Sequence, residues 1–102
     1  MEEREITDIF ERLSVMYDDK ALLSHLVCEC GNLVYESAKE LKRHGDPIAV
    51  DYQLIAAIAS VELAIDLVRH NVLSKADKTN LSRIRSARLI RMSNRTKPPI
   101  FP

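Results

Sequence analysis

Glycine and proline, the residues that most readily interrupt a helix, are almost missing from the body of this chain. Its two glycines are Gly31 and Gly45, and its four prolines are Pro47, Pro98, Pro99 and Pro102. The long stretches between them carry apolar residues every three or four positions, the period at which a helix buries one face. The chain is therefore expected to be all-α. A first helix is predicted from Glu3 to Tyr17, on Ile6, Ile9, Phe10, Leu13 and Met16. Asp18 and Asp19 offer capping oxygens for a second, which extends to about His44 and buries Leu22, Leu26, Leu33, Ala38 and Leu41. Gly45-Asp46-Pro47 ends it. A third runs from about Ala49 to Val72, rich in Leu, Ile and Ala on several faces, as suits the most enclosed element. Ser74 or Asp77 caps a fourth, continuing to about Ser93, with a narrower stripe of Leu81, Ile84, Ala87 or Arg88, and Met92. These helices make one domain, residues 1–95. The ending Thr96-Lys-Pro-Pro-Ile-Phe-Pro102 is a proline-rich tail, since three prolines remove donors and fix the backbone.

At 102 residues and 46% hydrophobic content, the chain can form one core of modest size. Its formal net charge is zero, so no whole-chain field draws it to nucleic acid or an anionic membrane. Charge is nevertheless uneven: from Lys75 to Lys97 there are many basic residues and one acid, Asp77. Cys28 and Cys30 on one helix point about 200° apart and cannot bridge each other, so each reads as a small core residue. No secretory-type leader and no apolar run of about 20 residues is evident, which leads us to expect a soluble cytoplasmic protein with reduced thiols.

Two segments carry a resemblance. Cys28-Glu-Cys-Gly-Asn-Leu-Val-Tyr-Glu-Ser-Ala-Lys-Glu-Leu-Lys-Arg-His-Gly45 is followed by Ala56-Ala-Ile-Ala-Ser-Val-Glu-Leu-Ala-Ile-Asp-Leu-Val-Arg69. Together they resemble the MazG-like nucleoside triphosphate pyrophosphohydrolases, in particular the small members found in phages, over roughly Leu22 to Arg91. The resemblance implies a four-helix MazG-like bundle that associates as a homodimer or homotetramer, in the host cytoplasm if phage-encoded. It also implies paired motifs, EExxE and ExxD, whose carboxylates hold Mg²⁺ against a triphosphate. That chemistry needs hard oxygen ligands and clustered negative charge, which offsets the cost of dehydrating the ion.

Here the chain departs from the pattern. The motif positions are Cys28, Glu29 and Asn32 on the second helix and Ala57 and Ser60 on the third, and Glu29 is the one acid among them. Asn32 and Ser60 present neutral oxygens and Ala57 presents none. Poor Mg²⁺ binding and no catalysis of the family kind are therefore expected, with no resident metal or cofactor. Glu62 and Asp66 share a helical face but lie about 120–140° from the motif positions, so salt bridging within the oligomer or to Arg69 is the simpler reading. His25 and Cys28 have metal-ligand spacing but lack a second pair.

What remains is the basic fourth helix. Arg83, Arg85, Arg88, Arg91 and Arg95, with Lys75, Lys78 and Lys97, are suited to phosphate contacts, and Arg83, Arg88 and Arg91 with Glu29, Asn32 and Ser60 form the expected ligand-binding set. Alternatively, these arginines pair with the acidic first helix, which carries Glu2, Glu3, Glu5, Asp8 and Glu11. The sequence thus points to a catalytically degenerate MazG-like protein that binds a nucleotide-like ligand or a protein partner. An altered Mg²⁺-dependent pyrophosphohydrolase and a purely structural oligomer are the alternatives. Neither a membrane nor a specific nucleic acid is expected as a partner, because no aromatic stacking pattern accompanies the basic residues.

Overall fold

A computed structural model describes residues 2–43 and 50–96. The fold is all-α: among the described residues there are four helices and no strand, the number and order expected of a four-helix bundle. They are α1 (Glu3–Met16), α2 (Asp19–Lys42), α3 (Tyr52–Asn71) and α4 (Lys75–Thr96). The expected helix end at Gly45-Asp46-Pro47 and the tail from Lys97 lie outside the described residues. The chain divides into two compact units, Met1–Val72, with α1 to α3, and Leu73–Pro102, with α4.

Local chemistry fixes the helix starts. The Asp18 carboxylate accepts from the Ala21 N–H at 2.8 Å and opens α2, and the Asp51 carboxylate accepts from the Gln53 N–H at 2.9 Å and opens α3. Asp51 corrects the expected start near Ala49: Val50 and Asp51 are not helical, and the capping carboxylate sets the first turn after them. At α4 the Asp77 N–H donates to the Ser74 hydroxyl at 3.1 Å and the Ser74 N–H donates to the Asp77 carboxylate at 3.0 Å. This reciprocal box satisfies two donors that a helix start would leave orphaned.

In the first unit α3 packs along α2 and also against α1. Asp51, at the start of α3, lies close enough to Lys39, near the end of α2, to bias its charge, so the two helices run antiparallel. Leu22, Leu26, Glu29, Leu33, Glu36 and Glu40 are the sheltered row of α2. Leu54, Ala57, Val61, Ala64, Val68 and Asn71 are the matching row of α3. Both alternate steps of four and three, the seam spacing of a coiled coil. Ala57 and Ala64 are 1% and 0% exposed, so close approach at two methyl-sized positions closes the seam. On α1, Ile9, Phe10 and Leu13 are half-buried, and the Phe10 ring lies 5.7 Å from that of His70 on α3.

Ala38 and Leu41, expected inside, are instead exposed. They lie about 100° or more round the helix from Glu40 and Glu36, which hold the seam phase at that end of α2. Cys28 and Cys30 are likewise exposed rather than in the core, as neither falls on the seam.

Two outcomes follow from these local features. Gly31 sits inside α2 with open space where a Cβ would be. G31A should therefore stabilise the chain by about 1 kcal/mol in chemical denaturation, by removing backbone freedom from the unfolded state. Second, the hydrogen bonds from Ser74 hold the Asp77 carboxyl below its ordinary value. A depressed carboxyl contributes stability above the unfolded-state pKa, near about 4. That contribution is lost as pH falls through the lower folded value. Acid titration followed by amide exchange should show the first turn of α4 fraying in that window, and D77N should remove the pH dependence.

Candidate binding surfaces

The five positions at which the resemblance places metal ligands do not converge. Glu29 is half-buried in the α2–α3 seam, where its Oε1 lies 4.0 Å from Nδ1 of His25 one turn earlier. Cys28 and Asn32 are exposed, rotated by about 100° and 60° from Glu29 to the same side of it, away from the seam. On α3, Ala57 is buried in the seam and Ser60 is half-buried at its edge. The α3 acids stay out of the seam: Glu62 is exposed, and Asp66 Oδ1 accepts from Arg69 Nη1 at 3.0 Å. Of the salt bridging expected for these two acids, the one to Arg69 is made by Asp66. Among the described residues no three His, Cys, Asp or Glu side chains are grouped to share a metal ion. One carboxylate, one outward amide and one hydroxyl are not the oxygen cage that Mg²⁺ requires, so these positions do not fit that ion.

Two acids on the same face escaped the motif reading. Glu36 is 9% exposed and Glu40 is half-buried, both in the α2 row that faces α3. The signal was available as the Glu29, Glu36, Glu40 spacing of seven and four, in phase with Leu22, Leu26 and Leu33. Each acid is met by a basic group on its own helix. Lys39 Nζ donates to Glu36 Oε1 at 3.3 Å and Arg43 Nη2 lies 3.4 Å from Glu40 Oε1. The hydrogen bond and charge of Glu36 raise the Lys39 ammonium above its ordinary pKa, and that ammonium also sits 5.4 Å from the Tyr35 ring centroid. Glu29 and Glu36 are about 10 Å apart along the helix, too far to hold one ion between them.

α2 carries a second row. Leu23, Val27, Cys30, Val34, Ala38 and Leu41 are all exposed, at steps of three and four, about 100° round the helix from the seam. Val27, Val34 and Leu41 are 71%, 70% and 76% exposed. Ile55, Ile58 and Leu63 on α3 are also exposed.

In the second unit, Leu81, Ile84, Arg85, Arg88, Leu89 and Met92 line a shallow groove along α4. Arg83, Arg88 and Arg91 are all exposed. Arg88 and Arg91 lie within about 60° of each other round the helix, while Arg83 is about 140° from Arg88. Arg85, one of the basic residues suited to phosphate, is the groove's other arginine.

No protein-family model, curated protein or solved structure matches this chain. Among the described residues no helix is long and apolar enough to cross a membrane.

Glu36 occupies a place where a leucine would continue the row of Leu22, Leu26 and Leu33. Its partner Lys39 is open to solvent and loses little when left alone. E36L should therefore raise unfolding stability by about 1 kcal/mol in denaturant titration, because desolvating a carboxylate offsets most of the gain from pairing it. A loss of stability would mean that the carboxylate is a structural requirement of the seam.

Proposed function

We propose that this chain is a catalytically degenerate MazG-like protein that acts by binding a protein partner, assembling with itself as a homodimer or homotetramer in the cytoplasm. The observation that carries this reading is the second row of α2. Six exposed apolar or thiol-bearing positions at steps of three and four, with two valines and a leucine at least 70% exposed, form a surface that water covers at a cost and a packed helix covers at a gain. The α3 face turned to α2 offers no carboxylate, which supports binding over hydrolysis: the arrangement that the resemblance implies draws Mg²⁺ ligands from both helices. The resemblance of the two quoted segments supplies the family, and the chain's own residues supply the loss of catalysis.

A second reading rests on Arg88 and Arg91, close enough round α4 to contact one phosphate group together. In it the chain sequesters a nucleotide or a nucleotide-derived signal through the phosphate. Calorimetric titration with nucleoside triphosphates separates the two readings. Heat that R88A abolishes favours sequestration, and no heat favours the protein partner.

Catalysis has its own check. Pyrophosphate release from each nucleoside triphosphate with Mg²⁺ should stay at the buffer rate. Release that requires Mg²⁺ and disappears in E29Q would restore the enzymatic alternative.

A further inference from the structure

The zero net charge of the chain conceals a division that coincides with its two compact units. Residues 1–72 hold seven Lys and Arg against fourteen Asp and Glu; residues 73–102 hold eight against one. With histidine neutral, the first unit carries −7 and the second +7. The division also has a local form. On the outer side of α1, Asp8, Glu11, Arg12 and Val15 line an open groove in which Val15 is 87% exposed. On α4, Arg85 and Arg88 flank a groove floored by Leu81 and Ile84, which are 37% and 51% exposed. One groove sets an apolar side chain among acids, with Arg12 as its one cation, and the other sets apolar side chains among arginines.

We propose that the basic α4 of one copy docks on the acidic three-helix unit of a second copy, and reciprocally, closing a two-fold pair. Charge selects the occupant. A nucleic acid drawn to α4 would also meet the −7 unit, and α4 has no aromatic side chain on which a base could stack. Two basic units packed on each other would oppose +7 with +7. A second copy brings equal and opposite charge, and reciprocal docking neutralises both units of both chains at once. A two-fold arrangement uses each groove once and leaves neither open to a third copy.

This inference specifies the self-association proposed above, but rests on the charge division and not on the apolar row of α2 or on any loss of catalysis. It is tested with the full chain and two charge reversals, R85E/R88E on α4 and D8K/E11K on α1, each checked for unchanged helix content by circular dichroism. Sedimentation of the wild type at about 0.05 M salt should give the dimer mass, with affinity falling tenfold or more by about 0.5 M salt as the charges are screened. Each variant alone should be a monomer, and the equimolar mixture should regain the dimer mass, because the reversed α4 of one variant then meets the reversed α1 of the other. A wild-type monomer at low salt overturns the proposal. Two variants that fail to complement when mixed also overturn it, which is the result if α4 docks within its own chain. A dimer indifferent to salt and to both reversals overturns it while leaving self-association through α2 standing.

Discussion

The first unit depends on the α2–α3 seam. Ala57 and Ala64 admit the facing helix closely, and Leu22, Val61 and Val68 fill the space on either side. α1 then has a surface to lie on, reached through Phe10 and the His70 ring. The seam is not a uniformly oily contact. Half of the α2 row is carboxylate; Glu36 and Glu40 each pair with a basic group three residues on, Lys39 and Arg43, and Glu29 lies 4.0 Å from the His25 ring. Those local pairs let α2 present glutamates inward without leaving a bare charge against α3. The same arrangement ties the acids up, so they are not free to gather round one ion.

The helices were legible in the sequence because each start is written in a short-range code. Asp18 before Ala21, and Ser74 before Asp77, are oxygens placed where orphaned N–H groups need them. Apolar content alone places the start of α3 near Ala49, a few residues early, whereas the Asp51 cap decides it. The facing side of α2 was harder to read. Leu41 and Ala38 look like core residues and Glu36 and Glu40 look like surface residues, yet helical phase reverses both. Hydrophobicity assigns residues one at a time, while a seam assigns them by angle. The cysteines were misplaced for the same reason.

The candidate site was legible as a set of substitutions and not as a geometry. The sequence alone shows that Glu29 stands at the motif positions without companion acids. Only the helix phases reveal that Asn32 faces outward, that Ser60 sits at the seam's edge, and that Arg83 points away from Arg88. The charge division was visible only in part. The basic run after Lys75 is plain in the sequence, but its exact balance against the rest of the chain emerges once the boundary at Val72 is known.

Cys30 lies within the exposed apolar row of α2, while Cys28, two residues earlier, lies on the other side of the helix. The chain therefore carries a matched pair of native thiol reporters. Alkylation of Cys28 tracks the helix itself, and alkylation of Cys30 tracks whether anything covers the row, so the ratio of the two rates reads occupancy of that surface without adding a label.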